Sequence, residues 1–272
     1  MNFEEKLMEA EEKNKSLLCI GLDPDPELMP PRMGVFKFNK AIIDATADLA
    51  CAYKLNLAFY EALGDEGIDA LKHTIKYIPA DIPTIGDAKR GDIGNTAKAY
   101  AKALFDTFGF DAATVNPYLG FDAVEPFTDY LDRGVFVLCR TSNPSSADFQ
   151  SLQFVLKRQR LPLFEIVALR AAQWNKKGGN IGLVVGATYP KELALIRQNH
   201  PNMLLLIPGI GAQGGDLVTA VREGVGARGH GAIFASSRQI IYASAEKDFA
   251  QAARRVASSL RDEINHQRAT PD

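Results

Sequence analysis

One pattern constrains this chain more than any other: short apolar runs alternate with longer segments of helical period, eight times over. The runs are SLLCIGLD (16–23), AYKLNLAFY (52–60), IPTIGDAK, AATVNPY, GVFVLCRTSN (from 134), IGLVVGAT, MLLLIPGIG and GAIFASSRQI. Between them, stretches such as KFNKAIIDATADLA, GIDALKHTIKYI and NTAKAYAKALFDTF read as helices, and AEKDFAQAARRVASSLRDEI closes the series. Pro190 suits the first turn of the helix PKELALIRQ, and Asn95 or Thr96 is expected near the N-cap of the helix that follows the third run. Strands alternating with helices at this spacing predict βα units and a parallel sheet. Eight of them in 272 residues predict an α/β fold, a single (β/α)8 TIM barrel domain over residues 1–272. A doubly wound open sheet is the alternative, but GLDPDPELMP stands after the first run where that fold would carry GxGxxG. The longest connection, 141–180, is read as an extended segment after strand five, with helical material in SLQFVLKRQRLPLFEIVALRAAQWN.

Composition narrows the function classes. A chain 46% hydrophobic and 24% charged can fill a core and is not disordered. A net charge of -2 supplies no field for nucleic acid or an anionic membrane. Cys19, Cys51 and Cys139 form no close pair, which suits a reducing cytoplasm and argues against a disulfide framework or a zinc site. The first residues, MNFEEKLMEAEEKNKS, are acidic and helical and lack the apolar stretch of a signal peptide. No run approaches the roughly 18 apolar residues of a membrane span. A soluble, cytoplasmic protein is the expectation.

Active sites of such barrels lie at the C-terminal ends of the strands. The predicted strand ends are polar: Asp23 on the first; Lys54 and Asn56 on the second; Asp87 and Lys89, then Asp92, on the third. Asn116 ends the fourth, and Arg140, Thr141, Ser142 and Asn143 the fifth. Asp87 and Lys89 are two apart and so share one strand face. With Asp23 and Lys54 they make an array of alternating charge, in which each group has an opposite neighbour. Flanking carboxylates would keep Lys89 protonated, as a cationic acid. A purely stabilising ion-pair layer is the competing account, but buried pairs are weak sources of stability. Further on, PGIGAQGGD (208–216) is glycine-rich between a strand and a helix, and SSRQ (236–239) closes the last strand. Loops in these two places often bind phosphate, here with Gln213 and Arg238 as donors. None of the four histidines ends a strand, and no GxSxG motif is present.

These residues carry a resemblance. GDAKRGDIGNTAKAYA resembles the DxKxxDI-x2-T signature of the orotidine 5'-phosphate decarboxylases, and CIGLDPDP, YKLNLAFYE, NPYLGFDAVEPF, RTSNPSS and PGIGAQGGD are similar to that family as well. The chain looks closest to the longer bacterial subgroup, with Arg90 and Gly91 where the more widespread subgroup has an aromatic residue and His. The resemblance implies a homodimeric (β/α)8 barrel that converts orotidine 5'-monophosphate to UMP and CO2, with no metal or organic cofactor. It implies Lys89 as the acid that protonates C6, Asp87 facing the substrate carboxylate, and Asp92, with Thr96 beside it, reaching the neighbouring subunit's site. Asp23 and Lys54 would meet the ribose hydroxyls, Ser142 the pyrimidine amide edge, and Gln213 and Arg238 the phosphate; Asn116 is a further candidate contact. The rivals are a Mg2+-dependent phosphosugar decarboxylase or hexulose-phosphate synthase of the same suprafamily, and an inactive barrel that binds nucleotides.

Overall fold

Eight parallel strands close into a barrel in a computed structural model that describes residues 1–156, 158–211 and 215–269. Helix α1 (Phe3–Asn14) precedes β1 (Leu18–Gly21), α2 (Val35–Thr46) and β2 (Ala52–Asn56). Next come α3 (Leu57–Glu61), α4 (Gly64–Tyr77), β3 (Thr84–Arg90) and α5 (Gly94–Lys102), which runs into a π-helical turn. β4 (Ala112–Val115), α6 (Glu125–Thr128) and β5 (Gly134–Arg140) complete the first five units. After them lie α7 (Ala147–Gln150), an antiparallel hairpin of β6 (Gln153–Leu156) and β7 (Gln159–Pro162), and α8 (Leu163–Gly178). The barrel resumes with β8 (Ile181–Val185), α9 (Pro190–Asn199), β9 (Leu205–Pro208), α10 (Leu217–Gly224) and β10 (Ala232–Ser236). Last are α11 (Arg238–Ile241) and α12 (Phe249–Ala269). The ring closes where β1 pairs with β10 on one side and β2 on the other. The barrel strands are buried nearly end to end, which is why they read as unbroken apolar runs rather than alternating ones.

Helix α1 seals the floor of the barrel. Its first turn is held by a capping box between Asn2 and Glu5. Phe3 then stands edge-on to Phe136 inside the ring, centroids 5.7 Å apart. The strand that meets it begins with Gly134, where a Cβ would lie 2.4 Å from the Phe3 ring. Leu7, Cys19, Cys51, Ile85, Leu206 and Ile233 pack in the same inner layer. Burial pushes the Cys19 and Cys139 thiols up to about 12, as expected of packing residues rather than nucleophiles.

At the outer edge of this floor Glu11 is buried, 3 % exposed, and its carboxylate meets His230 Nδ1 at 3.0 Å. Burial raises its carboxyl to about 7, against the opposing pull of His230 and Arg268. A raised carboxyl favours the fold below its unfolded value, and that contribution is lost as pH rises from 4.5 to about 7. Glu11→Gln should therefore remove a fall in unfolding free energy, on the order of 1–3 kcal/mol, between pH 5 and 7. Urea titrations of both proteins across that range check it.

Two local expectations fail and a third is refined. AYKLNLAFY is not one strand: β2 stops at Asn56, whose side chain accepts from Ala58 N at 3.2 Å and caps α3. Asn95 and Thr96 do lie in the first turn of α5, beside its cap at Ile93, but neither makes a capping bond. The first part of the expected helical stretch after β5 is the β6–β7 hairpin. Its strands carry Phe154 and Val155, and its turn holds Arg158 at φ 68, so local β preference and turn geometry override the helical reading.

Candidate active site

A cavity of about 670 Å³ opens over the C-terminal ends of the barrel strands. Asp23, Lys54, Asp87, Lys89, Ser142 and Arg238 all line it. Sequence reasoning placed each of these six at a strand end, and the barrel brings them to one mouth.

The charged array is built on an irregularity in β3. Gly86 pairs with Ala113 and Arg90 with Val115, so Asp87, Ala88 and Lys89 together face Thr114. This bulge is what puts Asp87 and Lys89 side by side, rather than simple alternation along a strand. Lys89 takes up the distortion with φ 48, a left-handed conformation that costs a residue with a Cβ roughly 1–2 kcal/mol. Thr114 holds the bulge closed: it accepts from Lys89 N at 2.9 Å and donates to Asp87 Oδ1 at 3.0 Å.

Asp87 is the hub. Its Oδ2 meets Lys54 Nζ at 2.8 Å, and its Oδ1 meets Lys89 Nζ at 2.5 Å. Burial opposes its ionisation, but the Lys54 and Lys89 ammoniums outweigh burial and hold its carboxyl far below the usual carboxylate range. Lys54 is likewise buried, which disfavours its charge; Asp23 and Asp87 reverse this and raise it above an ordinary lysine. Lys89 differs from Lys54 in access, with 47 % of its side chain exposed to the cavity. The result is one buried cation, one buried anion and one open cation in line.

Asp23 is positioned through its backbone. Tyr242 donates to Asp23 O at 2.9 Å and accepts from Asp25 N at 2.6 Å, while Tyr60 donates to Leu22 O at 2.8 Å. On the adjacent strand end, after β10, Arg238 begins the short helix α11 and stays exposed. Pro208, Gly209 and Ile210 line the cavity beside it; Gln213 lies outside the described residues. Asp92, Thr96 and Asn116 do not line the cavity. Asp92 Oδ1 accepts from Ile93 N at 2.8 Å, Thr96 is exposed on α5, and Asn116 Oδ1 accepts from Tyr118 N at 3.0 Å. Arg90 turns away to pair with Glu61, its guanidinium 5.3 Å from the Tyr100 ring. Among the described residues no group of His, Cys, Asp and Glu is arranged to hold a metal ion.

The family model described as "Orotidine 5'-phosphate decarboxylase / HUMPS family" matches residues 16–256. The chain belongs to that family. An orotidine 5'-phosphate decarboxylase from Dehalococcoides mccartyi is 54% identical over 268 residues, covering 98% of this chain and 99% of the relative. Another, from Thermomicrobium roseum, is 53% identical over 269 residues, 97% of this chain and 95% of that one. The solved Leishmania donovani OMP decarboxylase superposes with a TM-score of 0.87 at 41% identity, over 99% of this chain and 100% of that chain. In this member of the orotidine 5'-phosphate decarboxylase / HUMPS family, sequence reasoning missed Thr114. The available signal was a lone hydroxyl in the apolar run AATV, next to a strand crowded with charge.

Proposed function

We propose that this protein decarboxylates orotidine 5'-monophosphate to UMP and CO2, and that it does so as a homodimer in the cytoplasm without a cofactor. The observation that carries the reading is the Lys54–Asp87–Lys89 chain, with Asp87 ionised between two ammoniums at the foot of the cavity. Loss of CO2 breaks the bond from C6 to the carboxyl carbon and leaves the electron pair on C6. With no electron sink on the ring, that charge needs a fixed positive partner. Lys89 supplies it in a partly dry site, where an oriented ammonium stabilises developing negative charge more strongly than water does. The same ammonium then gives its proton to C6 and is reprotonated from solvent. Asp87 repels a carboxylate placed beside it and does not repel neutral CO2, so its effect falls along the reaction. Arg238 offers a planar fork to the phosphate, and that remote grip can be spent on closing the site.

Asp92 stands apart from its own cavity, which supports a role across a dimer. Large apolar side chains are exposed on its loop and on the loop after β4, which Asn116 N and Arg90 O join: Ile93 at 55 %, Tyr118 at 82 %, and Leu119. Exposed apolar groups of this kind mark association surfaces. Among the described residues no helix is long and apolar enough to cross a bilayer.

The direct test follows the absorbance of orotidine 5'-monophosphate with purified protein, with and without EDTA. Loss of absorbance that EDTA leaves unchanged is expected. No turnover would sink the reading, and turnover abolished by EDTA would count against a reaction without a metal. The shared site has its own test. Lys89→Ala and Asp92→Ala homodimers should each be nearly inactive, while an equal mixture, refolded together, should regain about a quarter of wild-type activity, because half the dimers hold one intact site. Heterodimers that form without regaining activity would place Asp92 in its own subunit's site.

A further inference from the structure

Arg140 ends β5 beside the cavity, is 2 % exposed, and lines no part of the site. Its guanidinium is costly to bury. Nη1 donates to Ser146 Oγ and, at 3.3 Å, to Gln150 Oε1. Its face lies 3.5 Å from the Tyr189 ring centroid. The nearest carboxylate, Glu192, is 3.8 Å from Nη2, and Nε is buried with no hydrogen-bond partner. A buried cation so loosely neutralised is a poor stabiliser, and an apolar side chain would fill the space at lower cost. What a buried polar network does supply is a single geometry.

That geometry concerns the next three residues. Gln150 brackets Thr141, accepting from its N at 2.9 Å and donating to its Oγ1 at 2.8 Å. Thr188 Oγ1 donates to Ser142 O at 3.1 Å, and Tyr189 OH donates to Asn143 O at 3.3 Å. Thr141, Ser142 and Asn143 all line the cavity. Two of their three clamps, Gln150 and Tyr189, rest directly on the Arg140 guanidinium. One reaches back from α7 and the other comes from the turn before α9, so Arg140 bridges two elements that Ser146 Oγ and Tyr189 OH also link at 3.4 Å.

We infer that Arg140 is a positioning residue that sets the location of Ser142, and through it the selectivity of the site for the pyrimidine base rather than for the ribose phosphate. The inference rests on the proposed nucleotide site. Arg140 lines no part of the cavity, and the phosphate candidates stand on other strand ends, Gly209 and Ile210 after β9 and Arg238 after β10. Removing Arg140 should therefore loosen base-dependent binding and leave base-independent binding intact. A merely structural residue would weaken both together.

Calorimetric titration of wild type and Arg140→Met with UMP and with ribose 5-phosphate separates these cases. Arg140→Met keeps the bulk of the stem and removes the fork. Its UMP affinity should fall about 10–100-fold, as when a positioned polar contact is lost, with ribose 5-phosphate affinity changed less than about 2-fold. Parallel loss of both ligands, or no loss of either, overturns the inference. Should Arg140→Met not fold, Gln150→Ala and Tyr189→Leu each break one clamp with Arg140 in place. Both should show the same selective loss of UMP, and full base selectivity in both would overturn the inference. Wild-type protein that binds UMP no better than ribose 5-phosphate would instead overturn the nucleotide reading itself.

Discussion

Lys89→Ala should lower kcat by roughly 10⁵-fold or more, since in the proposed reaction one group both stabilises the carbanion and delivers the proton, and the two contributions are lost together. The fold should survive. Lys89 is largely open to the cavity, and its removal leaves Asp87 with Lys54 and Thr114. The backbone cost of φ 48 is the same for Ala as for Lys, so it does not change the comparison. Steady-state turnover and thermal unfolding of the same preparation test both halves. A variant that keeps a near-normal rate would make Lys89 a structural residue. A variant that loses activity only because it unfolds would show that the ion pair, rather than the chemistry, dominates its role.

Asp87→Asn should damage stability as well as rate. It leaves Lys54 buried as a cation with only Asp23 near it, and breaking a buried pair from one side costs about 3–5 kcal/mol. In a chain of this length that corresponds to a fall in Tm on the order of 10 °C. The effect should depend on pH with a definite sign. The Asp87 carboxyl is depressed in the fold, so its stabilisation is present above the ordinary carboxylate range and is lost as pH falls through and below that range. The stability gap between wild type and Asp87→Asn should therefore be full near neutrality and narrow in acid. A gap that stays constant into acid would mean that the carboxylate charge is not what Lys54 needs.

The barrel was legible because parallel strands covered on both faces have to be apolar throughout, and helices of regular period have to separate them. The convergence of Asp23, Lys54, Asp87, Lys89, Ser142 and Arg238 followed from topology alone, since every strand of such a barrel ends on one rim. What the sequence hid was local. A bulge depends on how two strands pair, and nothing in GDAKRG alone states that Lys89 lies in a left-handed conformation. Thr114 was hidden for the same reason, because its partners come from the neighbouring strand. Asn56 could be read as a strand residue or as a cap, and only the path of the chain into α3 decides it. The hairpin after β5 was masked by QFVL and QRLP, whose apolar spacing satisfies a helix and a strand equally over so short a length.

The sealed floor has a consequence for traffic. With Phe3, Leu7 and Phe136 filling the lower end, the described barrel is a vessel with one door. In the proposed reaction nucleotide, CO2 and the protons that restore Lys89 would all pass through the cavity that Leu28, Asn143, Ile210 and Arg238 help to line. Among the described residues, the packed floor leaves no opening at that end through which a small product could leave while the nucleotide blocks the front. Whatever narrows that mouth therefore sets the order in which everything comes and goes.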